Sequence, residues 1–149
     1  MDASDRIFLD ISAGQGLPGT VMACLFTGEL FPPFCSPMLR SPNPGVGMTW
    51  DGGFARVLRD VLAFNPSIHD GAVMVGRRTA EESYRILGWS FRLFPPESAY
   101  SAQPNRGSAF NSCLAMSNVT NIDCVYLQSV YGVFSFVRGD THVLRERRL

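Results

Sequence analysis

The 149-residue chain contains no lysine, two histidines, and no pair of cysteines in a C-x-x-C spacing. The spacing of its four cysteines argues against a structural zinc site and, in a reducing compartment, against a disulfide framework. We therefore expect buried thiols and predict neither a metal nor a cofactor. The cysteines are Cys24, Cys35, Cys113 and Cys124.

Long apolar runs and net charge are also missing. No apolar run approaches the roughly 18 residues that a membrane-spanning helix requires, and the N-terminus is acidic and polar where a signal peptide would be basic and then apolar. The formal net charge is zero, so the chain has no general attraction to nucleic acid or anionic lipid. These absences predict no membrane partner and a cytoplasmic or nuclear location, and the length predicts one domain over residues 1–149.

The basic residues are all of one kind, because all 13 are arginine. One explanation is a GC-rich coding bias, to which we give more weight. The other is functional, since arginine favours planar, bidentate or stacked contacts at interfaces.

Most of the chain reads as short strands. Gly14, Gly16 and Gly19 match G-x-G-x-x-G, but β-branched residues follow where a dinucleotide site needs a helix, so this stretch predicts a hairpin turn. Two segments, FPPFCSPMLRS and DTHVLRERRL, predict short helices. The pattern favours a mainly β, predominantly antiparallel sandwich or closed barrel. The predicted strands are RIFLDIS, TVMACLF, GGFARVLRDVLAF, GAVMVG, SFRLF, SCLAMS, CVYLQSV and GVFSFVRG.

Several of these segments, in order, resemble the cyclophilin family of peptidyl-prolyl isomerases. RIFLDISAGQGLPGTVMACLFTGELFP resembles the opening hairpin of that family, GGFARVL is similar to its G-x-x-F-H-R-I-I, and LAMSN is similar to its L-S-M-A-N. The resemblance implies an eight-stranded antiparallel barrel capped by two short helices. The family continues into one more strand after the position of RERRL. Either that strand lies beyond this sequence, or a strand of a partner or of a second copy takes its place.

The resemblance also implies a peptide groove. It assigns the catalytic arginine to Arg56, which would donate toward the prolyl amide and favour its twisted geometry. Asn118 matches the asparagine that binds the peptide backbone. The groove has lost aromatic and amide groups of the family, and a lone arginine cannot catalyse without a precisely held substrate. The other ligand-binding positions fall on Val61, Leu62, Phe64, Ser117, Tyr126 and Tyr131.

The sequence therefore favours a catalytically degenerate cyclophilin-like domain that binds a protein or a proline-containing peptide, as an interaction module or a subunit of a larger assembly. One alternative is a divergent active isomerase that uses Arg56. A weaker one is an RNA-associated structural subunit that binds phosphate through Arg77, Arg78 and the C-terminal arginines. Without its last strand, the edge between Ile7 and Ile11 would invite pairing with a partner strand. We also expect Trp89, Phe91 and Phe94 to reach the surface of a long middle loop.

Overall fold

A mixed β-sheet with helices on both faces makes up the computed structural model, which describes residues 1–13, 19–96 and 103–146. Short 3-10 turns, Asp10–Ala13 and Pro66–His69, follow the first two helices. The elements in these ranges are α1 (Ala3–Leu9), β1 (Val21–Thr27), β2 (Cys35–Pro37), α2 (Phe54–Phe64), β3 (Ala72–Arg77), β4 (Arg85–Leu93), α3 (Gly107–Met116), β5 (Ile122–Ser129), β6 (Gly132–Val137) and β7 (Asp140–Glu146).

The strands of the described ranges lie in the order β2-β4-β3-β1-β5-β6-β7. The central pair, β1 and β3, is parallel, so the chain crosses a face of the sheet between them, and α2 lies on that crossing. Every other neighbouring pair is antiparallel. The mainly β prediction is confirmed, but this sheet is open, with β2 and β7 as its edges. The closed eight-stranded barrel is not confirmed.

Side chains of β1 alternate between two separate cores. Ala23 and Leu25 pack with residues of α1 and α2, whereas Cys24 and Phe26 pack with residues of α3. The sheet is therefore the middle layer between α1 and α2 on one side and α3 on the other.

The segment GGFARVLRDVLAF forms the helix α2, so its prediction as a strand is wrong. Phe54, Leu58 and Val61 are buried at spacings of four and three, which places them on one face of a helix. The buried face packs on the sheet, and the opposite face carries the charged residues.

The segment RIFLDIS is also helical and cannot be the strand edge that we predicted between Ile7 and Ile11. A capping box starts α1, because the Asp2 carboxylate accepts from the Asp5 amide and the Asp5 carboxylate accepts from the Asp2 amide. Phe8 is buried against the sheet. The strand edges available to a partner are therefore β2 and β7.

Three further assignments differ from the sequence prediction. SCLAMS lies in α3 rather than in a strand, DTHVLRERRL contains the strand β7 rather than a helix, and FPPFCSPMLRS contains the short strand β2 rather than a helix. The strands predicted in TVMACLF, GAVMVG, CVYLQSV and GVFSFVRG are confirmed, and SFRLF belongs to the longer strand β4. The predicted turn at Gly14 and Gly16 lies outside the described residues.

Candidate functional site

The arginine assigned to catalysis, Arg56, lies on the exposed side of α2. It forms no hydrogen bond or ion pair with the described part of the chain. Val61 and Leu62 lie on the other side of the same helix and pack toward the sheet, while Phe64 is 56% exposed at its end. The helix therefore points Arg56 away from the residues that were predicted to line its groove.

The remaining predicted residues lie elsewhere. Ser117 ends α3 on the opposite side of the sheet, where its hydroxyl donates to the Leu114 carbonyl at 2.6 Å and accepts from the Gly139 amide at 2.9 Å. Asn118 follows it and is exposed. Tyr126 is buried under α1, and Tyr131 is exposed in the β5–β6 turn. The structure thus brings Ser117 and Asn118 together but does not join them to the residues of α2.

A polar network that we did not predict lies at the carboxyl ends of the parallel strands. Thr27 and Arg77 are partners in the β1–β3 register, and the Arg77 Nε donates to Thr27 Oγ1 at 2.9 Å. Asp123 lies in β5 where the register with β1 shifts, a bulge of the kind that re-aims a side chain. Its Oδ2 accepts from Thr27 Oγ1 at 2.5 Å and from the Tyr84 hydroxyl at 2.6 Å.

Arg77 completes this network by two longer contacts. Its guanidinium lies 4.2 Å from the centroid of the Tyr84 ring and 4.0 Å from Asp123 Oδ2. Burial, followed by the hydrogen bond to Asp123, raises the pKa of the Tyr84 hydroxyl. Tyr84 therefore acts as a neutral hydrogen-bond donor to Asp123 at neutral pH.

A second tyrosine–carboxylate pair joins α1 to the sheet. The Tyr126 hydroxyl donates to Asp5 Oδ1 at 2.7 Å, and the ring of Phe8 stacks on Tyr126 at 5.0 Å. Burial raises the pKa of the Tyr126 hydroxyl. This pair fixes α1 over β5 with both an apolar and a polar contact.

Between the two pairs lies a cleft of about 730 Å³, which we call the polar cleft. Its wall includes a row of side chains in register across three strands, Tyr126 of β5, Ser135 of β6 and His142 of β7. Within the described residues, no group of three or more His, Cys, Asp or Glu side chains is placed to hold a metal ion. The polar residues that line the cleft are Asp2, Ser4, Asp5, Arg77, Tyr84, Asp123, Cys124, Tyr126, Ser135 and His142.

A smaller cleft, of about 440 Å³, lies on the α3 side of the sheet. Met22 and Phe91 contribute apolar surface to it, and Arg92, Ser108 and Ser112 contribute polar groups. Thr20 and Asp70 also line it, so its walls combine an apolar sheet surface with three hydroxyl groups, one carboxylate and one guanidinium.

All four cysteines are free thiols. Cys24 and Cys113 are buried as predicted, whereas Cys35 and Cys124 are only partly buried. Burial raises the pKa of both thiols, and it raises the pKa of Cys124 to about 12. None of these thiols is therefore a reactive thiolate at neutral pH.

Alkaline solution should destabilise the protein for the same reason. In the unfolded chain these thiols ionise near their ordinary pKa of 9.0, whereas in the folded chain they stay protonated, Cys124 up to about pH 12. The unfolded chain then binds fewer protons, so the free energy of unfolding falls as pH rises between these values. We expect a lower urea midpoint at pH 10 than at pH 7.5, and a smaller difference in Cys113→Ala. An unchanged midpoint would contradict the burial of these thiols.

Exposed apolar side chains concentrate at the β2–β4 end of the sheet, and we call this surface the apolar edge. The Phe31 ring stacks on Phe91 at 5.0 Å, and the backbone amide of Phe94 donates to the Phe34 carbonyl at 2.9 Å. Phe94 is exposed, as predicted, whereas Trp89 and Phe91 are buried, contrary to the prediction. The apolar edge consists of Leu30, Phe31, Phe34, Leu87 and Phe94, which are 81%, 44%, 39%, 36% and 45% exposed.

Comparison with known proteins adds a fold relationship. No family model matches the chain, and no curated protein does. Among solved structures, the crystal structure of a hypothetical membrane-spanning protein from Bacillus cereus matches 96% of this chain and 63% of its own, with a TM-score of 0.64 and 15% identity. At this identity the likeness shows the fold alone, and the chain spans less than two thirds of that protein. In the described residues, none of the helices has the length and apolar character to cross a bilayer.

The arginines considered for RNA binding are engaged within the described chain. Arg77 belongs to the polar network, and the Arg78 Nε lies 3.6 Å from Glu82 Oε1. Arg147 and Arg148 lie outside the described residues. These contacts leave Arg77 and Arg78 less available to phosphate groups, and RNA binding stays an untested prediction.

Proposed function

We propose that the chain is a non-catalytic interaction module that binds a protein partner through the apolar edge. The observation that carries the proposal is the concentration of five exposed apolar side chains at one end of the sheet. Contiguous exposed apolar surface on a folded protein marks an interaction site more often than isolated exposed residues do.

The surroundings of the apolar edge support a protein partner. Three of its five residues are phenylalanine, and a neighbouring cleft of about 350 Å³ is bordered by Leu30, Leu87 and Arg85. Aromatic residues and arginine are enriched in protein interfaces, whereas lysine is depleted. The arginine-only composition therefore suits this role as well as it suits a coding bias.

Leu30→Asp should abolish partner binding with little effect on folding. Leu30 is 81% exposed, so an aspartate there remains solvated, but it would put an unpaired charge in the centre of an apolar contact. In a native pull-down with the tagged chain, we expect recovery of the stoichiometric partner to fall by about tenfold or more.

The matched control is Val130→Asp, because Val130 is 55% exposed in the β5–β6 turn, away from the apolar edge. This variant should retain the partner. Equal recovery with Leu30→Asp and Val130→Asp would mean that the partner binds elsewhere.

Absence of isomerase activity is the second expected result. Arg56 is exposed on α2, and neither Ser117 nor Asn118 shares its side of the sheet. In a coupled assay with a short X-Pro peptide, the wild-type chain should not exceed the uncatalysed rate, and Arg56→Ala should behave identically. An acceleration that Arg56→Ala removes would instead support the divergent isomerase.

A further inference from the structure

The cleft of about 350 Å³ beside the apolar edge, which we call the edge cleft, lies between two segments of the chain. Residues 28–31, directly after β1, form its first wall, and residues between 76 and 87 form its second wall. Phe26 and Gly76 also line it and are partners in the β1–β3 register, so the sheet lies between the two walls. Three residues of the apolar edge border it as well, namely Leu30, Phe31 and Leu87.

The two walls of the edge cleft carry opposite charges that nothing in the described ranges neutralises. Glu29, on the first wall, is exposed and forms no hydrogen bond or ion pair with the described residues. Arg85, on the second wall, is also exposed, and its guanidinium donates to the Gly47 carbonyl at 3.0 Å but pairs with no carboxylate of the described chain. The other charged residues of the lining have partners within the chain, and they are Arg77, Arg78 and Glu82.

Neither end of the sheet is well suited to pairing with a further strand. β2 has three residues and ends in Pro37, which has no amide to donate. β7 is longer, but its pairing with β6 shifts register between Val133 and Phe134, an irregularity that hinders continuous pairing along an edge. A contact between side chains at the apolar edge is therefore favoured over extension of the sheet.

The edge cleft is complementary to itself. In a dimer with a twofold axis along the cleft, the first wall of each copy faces the second wall of the other, because such contacts are reciprocal. Glu29 of each copy then meets Arg85 of the other, and Leu30, which is 81% exposed, enters the facing cleft. A partner whose surface has charge of one sign would match only one of the two walls.

From these features we infer that a second copy of this chain occupies the apolar edge, in a twofold dimer with reciprocal contacts between Glu29 and Arg85. The formal net charge of zero means that two copies have no general electrostatic repulsion to overcome. This inference rests on the proposed function, because it names the partner of the same apolar surface.

Sedimentation equilibrium of the full chain tests the inference. The wild type should associate reversibly into dimers as its concentration rises to about 200 μM, whereas Leu30→Asp should stay monomeric over the same range. A wild-type chain that remains monomeric throughout would overturn the inference. A dimer that persists in Leu30→Asp would overturn it too, because the contact would then lie elsewhere.

Exchange of charge between the two walls tests the reciprocal contact. Glu29→Arg and Arg85→Glu should each weaken self-association by about tenfold or more, because each sets like charges against each other. An equimolar mixture of the two variants should associate as tightly as the wild type, since both contacts again join opposite charges. A mixture that stays monomeric would contradict the reciprocal contact.

The matched control is Asp60→Arg, which makes the same change of charge as Glu29→Arg at an exposed position of α2, on the other face of the sheet. Alone, this variant should associate like the wild type, and mixed with Arg85→Glu it should not restore association. Restoration by Asp60→Arg would mean that attraction between oppositely charged variants, rather than the edge cleft, holds the copies together.

The native pull-down separates a failure of this inference from a failure of the proposed function. If the wild type is monomeric and Leu30→Asp loses a different protein that the wild type recovers, the apolar edge binds that protein. Only the inference of a second copy would then be wrong. If the wild type neither self-associates nor recovers any protein that Leu30→Asp loses, both are wrong.

Discussion

Phe110→Ala is expected to lower the free energy of unfolding by about 3–5 kcal/mol, the range found for buried aromatic residues. Phe110 lies on α3, is 2% exposed, and meets the rings of Phe134 and Phe136 edge-on, with centroids 5.3 and 5.0 Å away. Alanine would leave a cavity between α3 and β6, because the Phe134 and Phe136 rings stand on the sheet and cannot fill it. Urea unfolding followed by circular dichroism measures the change.

Phe64→Ala is the matched control, since it removes the same side chain from a position that is 56% exposed at the end of α2. Its effect should stay within about 0.5 kcal/mol, as is usual for surface positions. If the two variants lose the same stability, α3 does not pack on this face of the sheet. That result would reject the three-layer arrangement described above.

Two of the strands that the sequence predicted consist of residues that are apolar on both faces. TVMACLF and GAVMVG become β1 and β3, which are covered by helices on both sides, and continuous apolar runs are typical of such strands. CVYLQSV and GVFSFVRG form the next two strands of the meander, with short turns that were visible in the sequence. The local pattern of apolar residues was sufficient to predict these four strands.

The helices were missed for reasons that the residues explain. In α2, the buried positions Phe54, Leu58 and Val61 follow helical spacing, but the similarity of GGFARVL to a cyclophilin strand outweighed that signal. In α1 and the 3-10 turn after it, Ile7, Leu9 and Ile11 alternate like a strand, although a capping box precedes them.

The strand β7 shows the opposite error. The segment DTHVLRERRL offers Asp140 or Thr141 as a helix N-cap, yet it pairs with β6 from Val137↔Asp140 to Gly132↔Glu146. Hydrogen bonds to the edge of the sheet outweigh the weak helix propensity of the segment. This pairing with β6 cannot be predicted from the segment alone.

The polar network was predictable only in part. Thr27 and Arg77 each end a buried strand, and polar residues there meet when the strands are parallel neighbours. If α2 had been recognised as the crossover helix between two parallel strands, the sequence would have predicted that Thr27 and Arg77 are neighbours. Asp123 and Tyr84 join them through a bulge and a loop, so their positions follow from tertiary structure and not from sequence spacing.

Gly71→Ala should destabilise the chain by about 2–5 kcal/mol, because it combines backbone strain with overpacking. Gly71 has a φ of +90° immediately before β3, a conformation that residues with a Cβ rarely adopt. A Cβ there would lie 2.8 Å from the Phe91 carbonyl oxygen and 2.6 Å from Met38 Cε. The methionine end can move, but the backbone of β4 cannot move without disturbing its pairing with β3.

Gly45→Ala separates this strain from a general effect of replacing glycine. No atom lies within 4 Å of a Cβ built at Gly45, so the exchange reduces only the freedom of the unfolded chain and should be neutral or slightly stabilising. In chemical unfolding, the free energies of unfolding of the two variants should therefore shift in opposite directions or differ by at least about 2 kcal/mol. Equal effects would mean that the turn into β3 does not hold Gly71 at positive φ. The β3–β4 pairing beside the parallel strands would then need a different geometry, and the position of Arg77 in the polar network depends on that pairing.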